Sequence, residues 1–446
     1  MGTKSRCLVA LAVSALLSVA APGPALPARA DPGGAFTVLT YNVAGLPEIL
    51  SSAPTDRRTA TTAIGERLGP YDIVHVQEDF NYHAYLYAAD GHPHRTPTSG
   101  GAGLGSGLNT LSGLPYDTGD FERVTWDDCS LGSGDCLTPK GFTFMRVRLA
   151  EGVHVDLYNL HADAGSGPGD LKARAANLAQ LTSFIRSRSA GRAVVVMGDT
   201  NTRYTRAGDT IAEFAAANGL ADPWVDLVRG GEAPAKGDPA LVCDKAAPTA
   251  ACEVVDKVLY RGDKQISLTA TSYGNDHAAF LTGDGLMLSD HHPISAGLTW
   301  RQSPGFRLSD PFGGPHGGHY SDLPSVKAGS RVAVLSLRAG SRVDRVGATL
   351  EDGTVLSHGG TGGTLRTLAL DRGEYAVSAK LCRGRKHGRT RIFHVEFTTD
   401  RGRTLSGGTV TPDCVSHTAP PGWQIAGYHG RSGTEVNKLG MIYTRR

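Results

Sequence analysis

The stretch AVVVMGDTNTRY, Ala193 to Tyr204, decides the fold. Five apolar residues run from Ala193 to Met197, and Gly198, Asp199, Thr200 and Asn201 follow at once. A short β-branched run bounded by polar residues reads as a buried strand. Its polar end reads either as an ordinary turn or as an acid and an amide delivered two residues apart to a site. FTVLTYN (36–42), YDIVHVQE (71–78) and VHVDLYNLH (153–161) are built the same way, apolar runs that stop on polar residues. Between the last of these and Ala193, the residues Leu171, Ala175, Leu178, Leu181 and Ile185 share one face of a helix, with Asp170 as its N-cap. This alternation of strands and helix predicts an α/β sandwich.

Composition sets the frame. Lys4 and Arg6, the apolar run from Cys7 to about Ala21 and the small-residue stretch Ala28–Ala30 have the build of a secretory signal peptide over residues 1–30. The mature chain is then expected to start at Asp31 and to be secreted and extracellular. The six remaining cysteines fall as two close pairs, Cys129 with Cys136 and Cys243 with Cys252, and one wider pair, Cys382 with Cys414; in an exported chain this reads as three local disulfides. Residues 31–300 hold 21 basic against 32 acidic residues, and residues 301–446 hold 21 against 11. Such a reversal of sign suggests two parts with different partners. We expect a first domain over 31–300, a polar linker over 301–309 and a second domain over 310–446.

The polar ends form a set. Asn42, Glu78, His161, Asp199, Asn201, Asp256 in VVDKVLY, and Asp290 and His291 in SDHHPI each sit at or just after an apolar run. Singly, each is explained by turn chemistry or a structural hydrogen bond. As a group they supply hard oxygen ligands of the kind Mg²⁺ or Ca²⁺ takes, and histidines able to move protons near neutral pH.

The series TYNVAGL, VHVQEDF, NLHADAG, VMGDTNTRY, VDKVLY and SDHHPI resembles the endonuclease/exonuclease/phosphatase superfamily, the metal-dependent phosphoesterases. The resemblance implies a four-layered, DNase-I-like α/β sandwich and a Mg²⁺ ion or another divalent cation. It implies Glu78 as main metal ligand with Asn42 assisting, and Asp199 and Asn201 on the metal, the phosphate or the attacking water. His161 then meets the phosphoryl oxygens or leaving group and His291 is the general base, with Asp290 and Asp256 orienting the histidine and metal. CSLGSGDCLTPKGFTFMRVRL (129–149), with Lys140, Gly141 and Phe142, is similar to a segment of bacterial secreted sphingomyelinases, implying a phospholipid substrate at a membrane surface. The alternative for this segment is a disulfide-tied loop with no bearing on substrate. A secreted nuclease of the same superfamily is the other enzymatic reading, and the acidic charge of this half argues mildly against nucleic acid.

The second half lacks helical periodicity, and GGPHGGHYSD, SHGGTGGTL and YHGRSGTEV repeat a His-Gly theme at His316, His358 and His429, read as Gly-flanked turn residues of an all-β repeat. From FGGPHGGHYSD to IAGYHGRSGTEVNKLGMIY it resembles the jacalin-related lectins, which implies an all-β prism and a carbohydrate ligand. The implied sugar contacts are Gly317 in a glycine-rich loop and the turn from Gly433 to Asn437. The family pattern has Asp where Asn437 stands, so one amide oxygen replaces two carboxylate oxygens. The basic run CRGRKHGRTR (382–391) reads as a solvated loop or as an attachment surface for an anionic membrane or polysaccharide. A carbohydrate-binding protein whose first domain has no catalysis is the reading from a different class.

Overall fold

The run Ala193–Asp199 is buried throughout and sits inside a five-stranded sheet of the computed structural model, which describes residues 1–2, 32–132, 134–244 and 247–446. The signal peptide expected over residues 1–30 lies almost wholly outside the described residues.

The first sheet contains β1 (Gly33–Asn42), β2 (Ile73–Gln77), β3 (His94–Arg95) and β4 (Asn109–Ser112). The second contains β5 (Glu122–Thr125), β6 (Gly141–Ala150), β7 (Val153–His161), β8 (Val194–Asp199) and β9 (Asp256–Arg261). The chain then returns to the first sheet with β10 (Ile266–Asn275) and β11 (Ile294–Gln302). The strand orders are β10-β11-β1-β2-β4-β3 and β5-β6-β7-β8-β9. Strands β1 and β2 are parallel, as are β7 and β8, so each pair ends at the same edge.

Both faces of the inner strands β2, β7 and β8 are covered, so they are buried at every residue, whereas the edge strand β10 begins with alternating buried and exposed residues. Phe36, Val38 and Ile73 of the first sheet meet Val155, Leu157, Val195 and Met197 of the second. The outer face of the second sheet packs Phe142, Tyr158 and Val196 against Leu178, Leu181 and Ile185 of α3 (Pro168–Arg188). The outer face of the first packs Leu39, Tyr41 and Val76 against Ile64 of α1 (Arg57–Glu66) and Leu86 of α2 (His83–Ala89). These are the four layers of an α/β sandwich. Leu178, Leu181 and Ile185 lie buried on α3, whereas Leu171 and Ala175 are half-buried. Asp170 is not the N-cap. Pro168 already occupies the first helical position, Gly167 is the cap, and the Asp170 carboxylate reaches back to accept from the Gly167 N–H at 3.0 Å.

The C-terminal part is all β. Three antiparallel sheets enclose one apolar core that includes Leu335, Val346, Leu381, Phe397, Ile425 and Met441, making a prism. Residues 301–309, expected as a linker, hold a strand instead: Phe306–Leu308 pairs with Ile442–Thr444, and Phe306 and Leu308 are buried because they close the prism core. The His-Gly turns expected at His358 and His429 are corrected, since both residues lie in strands. His429 is buried and makes hydrogen bonds on both ring nitrogens, with Arg192 Nη2 and the Ser309 carbonyl. His358 pairs with Asp322 at 2.7 Å and stacks on Tyr320.

Sandwich and prism form one compact unit from Pro32 to Arg446. Their junction lies at the start of β7 and β8 and along the flank of β6. There the Gly152 N–H and Arg148 bind Asp310, Arg192 meets His429, and Phe144 packs edge-on against His319. Asp120, almost fully buried, bonds Arg431 at 2.7 Å and Lys438 at 3.0 Å across it. The polar strand ends lie at the other end of β7, roughly 25 Å along the strand from Val153.

Candidate active site

Strand register builds the site. His161 pairs with Asp199 across β7 and β8, and Asp199 pairs with Asp256 across β8 and β9, so three chemically active residues form one row at the edge of the second sheet. In the first sheet, Asn42 pairs with Gln77, and Glu78 follows at once. Glu78 and Asn201 both hold positive φ, 54° and 51°. This left-handed backbone is uncommon for residues other than glycine and marks turns held by their surroundings.

The side chains converge. Asn42 Nδ2 donates to Glu78 Oε1 at 3.1 Å and to Asp199 Oδ2 at 3.2 Å, joining the two sheets. The Asn42 oxygen accepts the Ala44 N–H with one of its two lone pairs, and Asn42 meets the two acids through its N–H. His291 Nδ1 lies 3.0 Å from Asp256 Oδ2, and its Nε2 lies 3.7 Å from Asp199 Oδ2. His161 Nε2 lies 3.2 Å from Asp199 Oδ2 and 2.9 Å from Lys140 Nζ. Asn201 donates its backbone N–H to Asp199 Oδ1 and its amide to the Ala162 carbonyl, which locks the turn after β8. Asp290 stands apart. It is exposed, and its carboxylate accepts from Ser52, so of the two aspartates expected to orient His291 only Asp256 bonds its ring.

Burial and charge then set protonation. Burial would lower the His291 pKa, but Asp256 and Asp199 outweigh it and hold the imidazole well above its ordinary value. His161 is pushed the other way, by burial first and then by Lys140 and His291, so its ring stays neutral. Burial raises the pKa of Asp199 and of Glu78. Two buried acids, Asp199 and Asp256, and the half-buried Glu78 thus share too little positive charge. Asp256 Oδ1 is buried with no hydrogen-bond partner, and ligand atoms of Asp199, Asp256 and His291 lie within 4.8 Å of one another. A hard dication fits the carboxylate oxygens of Asp199 and Asp256 in this donor set, while Glu78, expected as the main ligand, lies outside the group and is joined to Asp199 through Asn42.

Lys140, which in sequence stands only as part of the Lys140-Gly141-Phe142 motif, joins the site. It follows the loop closed by Cys129–Cys136, forms an ion pair with Asp135 and presents its ammonium to His161. A lone cation just before a strand whose neighbours end in acids was the available signal. The other disulfides are Cys243–Cys252 and Cys382–Cys414. Beside the junction, Gly317 (φ 80°), whose carbonyl accepts from the same Arg431 that bonds Asp120, lies against Ser432 and the Asn437 side chain. With its amide in the orientation that satisfies its neighbours, Asn437 accepts from Arg391 and donates to the Glu435 carbonyl, while the Gly433 N–H also bonds that carbonyl. Glu435 itself binds Arg342, Lys386 and Arg391.

Two known domain classes fit these two parts. Residues 47–247 match the family model of endonuclease/exonuclease/phosphatase family 2, and residues 309–442 match that of the jacalin-like lectin domain. Among individual relatives, a sphingomyelinase of Mycobacterium tuberculosis is 41% identical over 272 residues, which cover 59% of this chain and 53% of that protein. The chain therefore spans about half the length of the curated relatives it matches. The sphingomyelinase C of Streptomyces griseocarneus superposes with a TM-score of 0.43 at 21% identity over 59% of this chain and 99% of that one. Wild-type Malaysian banana lectin superposes with a TM-score of 0.28 at 23% identity over 32% of this chain and 100% of that one.

Proposed function

We propose that this protein is a secreted, divalent-metal-dependent phosphodiesterase that hydrolyses sphingomyelin to ceramide and phosphocholine. The observation that carries the proposal is the row His161–Asp199–Asp256 with His291 bridging its two acids. The 41% identity to the mycobacterial sphingomyelinases supports the choice of substrate.

A bound Mg²⁺ supplies positive charge for the developing phosphoryl negative charge and lowers the pKa of water. The chain's own residues do the rest. Asp256 holds the His291 ring through Nδ1 and leaves Nε2 directed toward Asp199; with the charge that keeps the ring protonated offset by a cation held by these carboxylates, the neutral ring can then take a proton from an attacking water. Neutral His161 and cationic Lys140 face the same carboxylate from the opposite side and can bond phosphoryl oxygens or the leaving group. Asn42 keeps Glu78 and Asp199 at fixed separation across the two sheets.

For the prism we propose a carbohydrate contact at Gly317 and the Gly433–Asn437 turn. A sugar hydroxyl there competes with Arg391 for the Asn437 oxygen, so binding needs that arginine to move. The test of the enzymatic reading is phosphocholine release from sphingomyelin liposomes with Mg²⁺ and with EDTA, beside plasmid DNA. Mg²⁺-dependent release that vanishes in His291→Ala is expected; cut DNA with untouched lipid makes the protein a nuclease, and neither leaves a carbohydrate-binding protein.

A further inference from the structure

Three short loops border the site. The loop 43–56 approaches it through the Gly45 N–H, which bonds the Glu78 carbonyl. The loop 97–108 approaches it where the Asp79 N–H bonds the Gly107 carbonyl. The loop 126–140 approaches it at Lys140. They also touch one another: Asn81 bonds both Gly45 and Ala102, and Gly103 lies against the Leu137 carbonyl. A cleft of about 340 Å³ between the last two loops is lined by Gly103, Trp126, Leu137 and Lys140.

Singly exposed apolar residues are normal on a protein surface. Here they are concentrated. Of the twelve exposed large apolar side chains among the described residues, five are on these loops: Ile49, Leu50, Leu104, Leu131 and Leu137, between 66 and 92% exposed. Leu104 caps a glycine-rich turn held by two bonds to the Gly101 carbonyl, and Leu131 lies inside the ring closed by Cys129–Cys136, with Leu137 just after it. Both outer loops are thus tied down at their bases while their apolar tips stand in solvent.

We propose that these tips are the membrane-docking surface, inserting into a bilayer of zwitterionic headgroups so that the catalytic mouth faces the lipid. The choice of a lipid surface rests on the phosphodiesterase reading above. The choice of zwitterionic headgroups comes from the charges on the loops themselves. They carry Glu48, Asp56, Asp127, Asp128 and Asp135 against one cation, Lys140, which is already bound to Asp135 and His161. An acidic rim repels an anionic leaflet, so the attraction must come from buried apolar area.

The experiment is flotation of the full chain with phosphatidylcholine–sphingomyelin vesicles in EDTA, at low and high salt. The variants are the triple change Leu104→Asp, Leu131→Asp, Leu137→Asp, and Leu365→Asp on the prism as control. Hydrolysis of water-soluble p-nitrophenylphosphorylcholine reads the catalytic site without a membrane. Expected are salt-insensitive flotation of the wild type and the control, at least tenfold weaker vesicle binding by the triple variant, and unchanged turnover of the soluble ester. Normal flotation of the triple variant overturns the proposal, as does a wild type that floats only with phosphatidylserine or not at all. A wild type that floats through these leucines yet releases no phosphocholine keeps the docking surface and removes the enzymatic reading; phosphocholine release with normal flotation of the triple variant does the reverse.

Discussion

Asp120→Asn tests the junction between sandwich and prism. The Asp120 carboxylate is almost fully buried, with Arg431 Nη1 at 2.7 Å and Lys438 Nζ at 3.0 Å. At an effective dielectric of about 20, one such pair at 3.0 Å is worth about 5–6 kcal/mol of Coulomb energy. Desolvation of three charges takes back much of that, and losing one partner of a buried pair typically costs about 3–5 kcal/mol because the others stay buried unpaired. Lys438 keeps Asp117 at 2.5 Å, a half-exposed partner, so the lower part of that range is expected. The pH dependence has a definite sign. Burial alone would raise the Asp120 pKa, but Lys438 and Arg146 outweigh it and hold the carboxyl well below its usual range. A depressed folded-state pKa stabilises above the unfolded value, about 3.9, and the contribution fades as pH falls below it toward the folded value. Urea unfolding of wild type and variant at pH 7 and at pH 3, followed by tryptophan fluorescence, measures both effects. The variant is expected to lose about 3 kcal/mol at pH 7 and less at pH 3. A loss under about 1 kcal/mol at pH 7, or a loss equal at both pH values, would refute the reasoning.

The site makes further predictions. His291→Ala should lower kcat for phosphodiester hydrolysis by roughly 10²- to 10⁴-fold, measured at saturating Mg²⁺. Asp256→Asn removes the carboxylate that raises the His291 pKa, so the acid limb of the pH–rate profile should move to lower pH with reduced kcat; an unmoved limb would assign the base elsewhere. Mg²⁺ at about a hundred times its Kd should stabilise the wild type by about 2.7 kcal/mol in thermal unfolding, and Asp199→Asn should lose most of that shift. Replacing Cys129 and Cys136 by Ser opens a ring with a sequence separation of 7 and should cost about 2–3 kcal/mol, with the loss confined to the loop by hydrogen exchange.

Much of the sandwich was legible because its strands are short apolar runs that stop on polar residues, and the helix between β7 and β8 has one clear apolar face. Asn42, Glu78, His161, Asp199 and Asp256 could be picked out because each ends or opens a strand, and parallel neighbours bring such ends to one edge. What a linear pattern does not carry is direction and partner. Asp290 and His291 are adjacent in sequence, but the backbone turns one carboxylate toward Ser52 and the imidazole toward Asp256. Glycine around His358 and His429 suggested turns, yet those glycines make room for strands packed closely inside the prism: a Cβ on Gly359 would lie 2.1 Å from the Asp344 carbonyl oxygen, and one on Gly430 would lie 2.0 Å from that of Lys438. The strand at Phe306–Leu308 was hidden by the prolines and glycines flanking it. Asp120 was unremarkable in sequence because its partners lie more than three hundred residues away.

A module on a flexible tether raises only the frequency with which an enzyme meets its substrate, through effective concentration. The prism here is fastened through buried ion pairs and close backbone contacts, so it cannot swivel independently of the strands that carry the site. Whatever the prism grips therefore sets the aim of the catalytic mouth as well as its address. Given the proposed lipid substrate and carbohydrate ligand, a ligand that points the mouth toward the bilayer should speed turnover, and one gripped at the same affinity from the opposite side should slow it. The rigid mount makes the direction of attachment, and not its strength alone, the variable that decides activity.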